Sequence, residues 1–165
     1  MKNKDYNRGK ALQYAKKWAM NRNPKYYNFD TVGGDCTSFI SQIIYAGSEI
    51  MNYGLNGWYY INGNDKSPSW SGVEYLHKFL VNNNGVGPYG REVGIDEIER
   101  GDIIQLSFDG IRFHHSLVVI DIVNNIKSFT NILIAAHTED SLNRRLSTYT
   151  FNRIRFIKIE GVRYY

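Results

Sequence analysis

The sequence predicts an α+β fold in which helices fill the first half of the chain and antiparallel strands the second. Two observations lead to this prediction. Apolar residues recur at helical spacing before residue 83, and short β-rich segments separated by turn residues follow from about residue 100. No period of 20–50 residues repeats, which excludes a solenoid. With 165 residues, 42% of them hydrophobic, the chain is expected to form one domain spanning 1–165.

Helical spacing marks residues 5–20 and 70–83 as the first and third helices. Asp5 is a plausible N-cap of the first, and Asn23-Pro24 is a turn signal that ends it. The stretch 48–70 between the helical segments is rich in Asn, Gly, Tyr and Trp and is predicted to be a loop. A loop of that length in a small domain is usually functional.

The second helix follows a Gly33-Gly34 turn. Cys36 begins a series of apolar residues on one helix face, which continues with Phe39, Ile40, Ile43 and Ile44. Asp35 or Thr37 is expected to cap this helix, and Gly47 to terminate it. Cys36 is therefore predicted to lie in the first turn of a largely buried helix.

Four strands are predicted from β-rich composition and turn signals. They are 101–108, 114–123, 132–138 and 155–162. Asp109-Gly110 is typical of a hairpin between the first two strands. Residues 84–94, with several glycines and Pro88, are predicted to be a connector.

Composition excludes several classes of protein. A single cysteine rules out an internal disulfide and a multi-thiolate zinc site. The net charge of +4 is mild, and the basic residues near the C-terminus alternate with apolar ones, which favours a solvated strand face over an anionic partner. Without a run of five or six like charges, or of about 18 apolar residues, neither nucleic-acid binding nor membrane insertion is expected.

Cys36 is the candidate nucleophile. A helix N-terminus favours a thiolate through its dipole and its unpaired N–H groups, and the same groups can stabilise an oxyanion. The competing interpretation is a small buried apolar residue, which free cysteines often are. The glycine turn before Cys36 makes the two interpretations about equal.

A thiol nucleophile needs a base, and His77, His114, His115 and His137 are the four histidines. His77 is expected at the surface of a helix. His114 and His115 start one strand and must face opposite sides of it, but both sides are apolar, so alternation does not decide between them. A zinc site from one of them with His137 and Asp140 is disfavoured, because no HExxH or paired-thiolate spacing is present.

Trp58 and Trp70 flank the predicted 48–70 loop. Aromatic faces stack on sugars, so these rings are candidates for a wall of a polymer-binding groove. The alternative is that they anchor the loop to the core, which is slightly favoured for Trp70.

Five blocks of residues in order make the sequence resemble the Putative amidase domain family of Gram-positive bacteria and their phages. They start with 6–47, which contains GGDCTSFISQ, and continue with PSWSGVEYLHKFL, ERGDIIQL, HHSLVV and AAHTED. The resemblance covers about residues 6–156. It implies a papain-like (NlpC/P60-like) fold, alongside the NlpC/P60 and CHAP cell-wall hydrolases.

The resemblance also implies roles for individual residues. Cys36 matches the nucleophile, His115 the general base and His137 the group that orients it. Asp35 and Gln42 match positions that support the nucleophile. His114 replaces the more usual aromatic residue before the base, so His114 and His115 remain alternatives, as do His137 and Asp140 for the orienting group.

The expected activity is a cysteine amidase or endopeptidase that cleaves peptidoglycan as a monomer and needs no metal or cofactor. The alternative is a catalytically inactive wall-binding module of the same fold. No signal peptide is recognisable in this chain, so it is expected to be a fragment of a secreted protein, or a phage- or toxin-type enzyme released from the cytoplasm to act on the wall. The sequence does not distinguish a lysin, a remodelling enzyme and a toxin.

Overall fold

A computed structural model describes residues 1–137 and 139–165, and its architecture is α+β. The helices are α1 (Arg8–Trp18), α2 (Cys36–Ser48), α3 (Pro68–Ser71) and α4 (Val73–Asn82). The strands are β1 (Lys2–Lys4), β2 (Tyr60–Asn62), β3 (Asp65–Lys66), β4 (Gly87–Val93), β5 (Ile103–Ser107), β6 (His115–Ile122), β7 (Ile132–Ala136), β8 (Ser141–Arg145) and β9 (Arg153–Tyr164). Within the described ranges, none of these helices combines the length and apolarity needed to cross a membrane.

One antiparallel sheet of seven strands organises the molecule. Its order is β1-β9-β5-β6-β7-β8, and β4 also pairs with the long β9. The predicted hairpin between β5 and β6 is confirmed: Leu106 pairs with His115. In the connecting turn, Asp109 Oδ1 accepts hydrogen bonds from the N–H groups of Ile111 and Arg112.

The sheet has two buried faces. On the helix face, Val118 of β6 and Ala135 of β7 belong to the same apolar cluster as Phe39 and Ile40 of α2. On the opposite face, a second cluster contains Leu117, Val119, Leu106 and Ile134. Side chains alternate between the two faces from His115 to Ile120 of β6, and a register shift between Val119 and Asp121 then places Ile122 in the second cluster.

The first helix begins later than predicted. Asn7, not Asp5, is its N-cap, and the Asn7 side chain accepts a hydrogen bond from the N–H of Lys10 at 3.0 Å. Residues 2–4 are already committed to β1, whose partner is β9, which leaves Asp5 outside the helix. The helix ends at Trp18.

Gly47 is not the stop of α2, and the prediction was wrong. The helix runs to Ser48, and Glu49 adopts the left-handed conformation with φ of 60°. Gly47 lies inside the helix, at a place where Tyr6 and Asn7, the residues that lead into α1, approach it closely. A Cβ atom on Gly47 would lie 2.4 Å from Tyr6 Cε1 and 2.9 Å from the Asn7 carbonyl oxygen.

Several elements were missed from the sequence. Strand β4 lies within the predicted 84–94 connector, and the polar strand β8 has no apolar alternation to reveal it. The predicted 48–70 loop contains the β2–β3 hairpin and begins α3. The predicted strand 132–138 is observed as β7, and its last predicted residue, Thr138, lies outside the described residues.

The basic residues of β9 are largely used within the protein. The Arg155 guanidinium stacks on Phe113 at 3.8 Å and donates two hydrogen bonds to Gln105 Oε1. Lys158 pairs with Glu99 at 2.8 Å. The Arg155 side chain, only 11% exposed, is therefore packed within the protein and not on the solvated strand face that the sequence predicted.

Candidate active site

Cys36 is the first residue of the 13-residue helix α2. Gly33 and Gly34 both have positive φ, 83° and 95°, which supplies the predicted turn before the helix. The Cys36 side chain is largely buried, with 8% of its surface exposed. Its Sγ lies 3.9 Å from the carbonyl oxygen of His114 and 3.6 Å from Thr37 Oγ1. The thiol therefore sits at the N-terminal end of β6.

Asp35 occupies the N-cap position but does not cap α2 with its side chain. One carboxylate oxygen accepts a hydrogen bond from the N–H of Phe29 at 3.0 Å, and the other lies 2.7 Å from His137 Nδ1. Since the carboxylate is turned away, the first N–H groups of α2 keep the capacity to stabilise an anion beside the thiol.

His137 is held on three sides. Its Nδ1 bonds Asp35, its Nε2 lies 2.6 Å from the carbonyl oxygen of Trp18, and its ring stacks on Phe39 at 3.6 Å. The ring therefore bridges the Asp35 carboxylate and the Trp18 carbonyl, both of which are hydrogen-bond acceptors. This pair ties α1, α2 and the end of β7 together.

Arg22 lies beside the Asp35–His137 pair and connects it to two further carboxylates. Its guanidinium makes two hydrogen bonds to Asp140, two to Asp30, and approaches Asp35 Oδ2 at 3.6 Å. The bonds from Arg22 lower the pKa of Asp30. Sequence reasoning missed Arg22, because one arginine in a polar loop carries no signal of a partner, Asp140, that is 118 residues away. Asp140 is thus occupied by Arg22.

His115 lies on the opposite face of the sheet from α2. It pairs with Leu106, its ring packs 5.8 Å from that of Tyr149, and only 2% of the residue is exposed. Burial, and secondarily the charge of Arg144, lower the pKa of His115 to about 4. Its Nε2 finds no hydrogen-bond partner among the described residues, so the ring is a neutral, unpaired base.

The expected contact between His115 and His137 is not formed. His137 continues the parity of Ala135 and bonds Asp35 on the helix face, while His115 shares the parity of Leu117 on the opposite face. The backbone of β6 and β7 separates the two rings. The structure therefore does not place His137, or Asp140, where it would orient His115.

His114 precedes β6 and offers Cys36 its carbonyl oxygen rather than its ring. Its Nδ1 accepts a hydrogen bond from the Phe108 N–H at 3.4 Å, and Nε2 lies 3.4 Å from Asp109 Oδ2. The imidazole also stacks near the half-exposed ring of Phe108. Of the two adjacent histidines, His114 is the more accessible and His115 the buried one.

Gln42 lies further along α2 than the thiol. Its Oε1 accepts a hydrogen bond from Tyr14, and its Nε2 donates to Ser38. A polar chain that sequence reasoning missed lies closer to Cys36: Thr37 Oγ1 and Ser116 Oγ are 3.0 Å apart, and Gln105 Nε2 donates to Ser116 Oγ at 3.2 Å. This chain anchors the first turn of α2 to β6.

Trp58 and Trp70 do not line a groove. Both side chains are completely buried, and Trp58 Nε1 donates a hydrogen bond to Ser41 Oγ on α2. The prediction that these rings form a substrate wall is wrong, because the 48–70 segment folds back and inserts them into the cluster on the helix face.

The zinc alternative finds no support in the arrangement of its proposed ligands. His137 and Asp140 are each engaged with other side chains, and His115 faces the other side of the sheet. In the parts of the chain that the structure covers, no three His, Cys, Asp or Glu side chains are grouped to hold a metal ion.

Comparison with known proteins identifies the family. The family described as "Putative amidase domain" matches residues 5–159. The uncharacterized protein YhbB of Bacillus subtilis (strain 168) is 34% identical over 144 residues, which cover 84% of this chain and 43% of the relative. This chain thus spans less than half the length of that relative. No solved structure matches. The match over nearly the whole chain shows that this protein belongs to the Putative amidase domain family.

Proposed function

We propose that the protein is a cysteine-dependent hydrolase that cleaves an amide bond of bacterial peptidoglycan. Membership of the family favours hydrolysis of an amide. The observation that carries the assignment to Cys36 is its position as the first residue of α2. The N-cap residue Asp35 does not cap this helix, because its carboxylate bonds Phe29 and His137 instead. The choice of peptidoglycan rests on the sequence resemblance.

In the proposed reaction the Cys36 thiol first gives its proton to an imidazole. The thiolate then attacks the amide carbonyl carbon, and the N–H groups of the first turn of α2 stabilise the oxyanion. The imidazolium returns the proton to the amine nitrogen as the C–N bond breaks, which leaves an acyl-thioester. Water, deprotonated by the same imidazole, attacks the thioester and releases the carboxylic acid and the thiol.

His115 is the proposed base. It is neutral over the physiological pH range, its Nε2 is unpaired among the described residues, and it directly follows the residue whose carbonyl contacts the thiol. Because the His115 ring lies on the opposite face of the sheet from α2, it must turn past the N-terminal end of β6 to reach the thiol when substrate binds. His137 and Asp35 then act as positioning residues for α2.

The dependence of kcat/KM on pH in the acidic range tests this choice of base. With His115 as base, kcat/KM stays constant down to about pH 4 and falls below it, because the imidazole must be neutral. His115→Ala loses activity, and His114→Ala keeps most of it. The reverse order of the two variants would assign the base to His114.

The alternative function is a wall-binding module without catalysis. It is favoured by one observation: no histidine ring lies within hydrogen-bonding distance of the Cys36 thiol in the described part of the chain. Turbidity loss of Gram-positive cell walls, compared for wild type and Cys36→Ala, separates the two functions. Lysis by wild type alone supports the hydrolase, whereas wall binding with no lysis and no labelling of Cys36 by a thiol reagent at neutral pH supports the module. Inhibition by a chelator would instead indicate a metal-dependent reaction.

A further inference from the structure

A cleft of about 1020 Å³ lies away from Cys36, between the segment 51–57 and helix α4 with its following turn 82–86. Its size is at the upper end for sites that hold small molecules. The segment 51–57 follows the C-terminal end of α2, and 13 helical residues span about 20 Å. The cleft and the thiol therefore lie at opposite ends of the same helix.

The cleft is lined by a distinctive set of side chains. Asparagine amides contribute at positions 52, 56, 82, 83 and 84. Tyr53 and Tyr75 stand at its edge, 65% and 60% exposed, together with the 97%-exposed Leu55. Large exposed apolar side chains that gather at one concave place mark an interaction site more often than scattered ones do.

The walls of the cleft are built rigidly. Asn52 Oδ1 accepts a hydrogen bond from Gly54, and its Nδ2 donates to the carbonyl of Val86 at 3.0 Å, which joins the two walls. The backbones of Asn52 and Trp58 exchange two hydrogen bonds, and the buried Trp58 ring anchors the segment to the core. Asn83 Nδ2 bonds two carbonyl oxygens in the opposite wall. The shape is therefore preformed.

Other polar groups remain available to a ligand. The side chains of Asn56 and Asn84 are exposed and make no hydrogen bond to any residue that the structure describes. No Asp or Glu side chain lines the cleft, its one charged side chain is the exposed Lys78, and Tyr165 completes the lining. Amides and tyrosine rings suit an uncharged ligand with many hydroxyl groups and apolar ring faces.

We propose that this cleft binds a saccharide strand of N-acetylated hexosamines. Sugar rings present an apolar face to tyrosine and a rim of hydroxyl and amide groups to asparagine. The identification of this strand with the glycan of peptidoglycan rests on the proposed function, since it would hold the same polymer about one helix length from the thiol. Binding itself requires no catalysis.

The test is a calorimetric titration of N-acetylglucosamine tetramer into the Cys36→Ala protein. We expect saturable binding that is the same in the wild type. Tyr53→Ala and Tyr75→Ala should each weaken it about tenfold, and Asn84→Ala should weaken it less. Tyr27→Ala, which removes an exposed tyrosine outside the cleft, is the matched control and should bind normally.

No binding at millimolar tetramer, or equal binding by the Tyr53, Tyr75 and Tyr27 variants, would overturn the proposal. Because Tyr53 and Tyr75 are exposed, both variants are expected to fold, and circular dichroism checks this. Because binding is measured in Cys36→Ala, tetramer binding without wall cleavage would refute only the hydrolase. Wall cleavage without tetramer binding would refute only the saccharide site.

Discussion

At the residue scale, the buried pair of Asp35 and His137 fixes where α2 begins. Each side chain is 1% exposed, and the two are joined at 2.7 Å. The pair is tolerated out of water because each side chain has an additional partner: the Phe29 N–H for the carboxylate and the Trp18 carbonyl for the imidazole ring. Removing the carboxylate leaves the buried His137 ring without its side-chain partner.

Asp35→Asn is therefore expected to lower the free energy of unfolding by about 3 kcal/mol, the usual cost of breaking a buried ion pair. Urea unfolding at pH 7 measures this. Asp30→Asn is the matched control: Asp30 pairs with the same Arg22 but is 42% exposed, so its loss should cost no more than about 1 kcal/mol. Equal costs for the two variants would contradict the assigned role of Asp35.

The unpaired His115 ring predicts a loss of stability in acid. Its pKa is about 4 in the folded protein and near its ordinary 6.5 in the unfolded chain, so the unfolded state takes up the proton first. The contribution of His115 to stability is constant above about pH 6.5 and falls by about 3 kcal/mol as the pH drops from 6.5 to 4. Urea unfolding of wild type and His115→Phe across this range isolates the effect. A parallel fall in both proteins would show that His115 is not the titrating group.

At the element scale, α2 depends on close approach at Gly47. Gly47→Ala would place a methyl group 2.4 Å from Tyr6 Cε1, so we expect a loss of about 1–3 kcal/mol in stability. Gly9→Ala in α1 is the control, because the nearest atom to its new methyl group is Asn7 Oδ1 at an ordinary 3.5 Å. This variant should gain up to about 1 kcal/mol from helix propensity. Thermal unfolding compares the two; destabilisation of both to the same degree would contradict the packing explanation.

The elements that the sequence predicted correctly are those with local signals. The helical spacing of apolar residues in α2 and the Asp109-Gly110 turn between β5 and β6 are each determined by residues close together in the sequence. Strand β4 was missed because glycine and proline hide it, and it forms through pairing with β9, some 70 residues later. The face of His115 was unpredictable, because both sides of β6 are buried. Alternation shows that His114 and His115 point to opposite sides, but not which side α2 covers.

At the scale of the whole molecule, long-range contacts decide the site. The charged group around Asp35 joins residues from position 18 to position 140, and no spacing in the sequence indicates that His137 serves Asp35 rather than His115. The buried tryptophans likewise depend on how the 48–70 segment folds back. The nucleophile was predictable because its turn and helix are local; its partners were not.

The whole molecule places a thiol at one end of α2 and the proposed saccharide cleft at the other. A polymer that carries both sugars and peptide could contact the two together. Truncating the cleft should therefore raise KM for intact wall and leave kcat/KM for a short, sugar-free peptide amide unchanged.

The most direct test of the central claim is the release of free amino groups from purified peptidoglycan by wild type and by Cys36→Ala at neutral pH. Loss of a nucleophile typically lowers the rate by about a thousandfold or more, so Cys36→Ala should release amines at the background rate while keeping the wild-type fold. Mass spectrometry of the wild-type products then identifies the bond. Amine release at equal rates by both proteins would contradict the account.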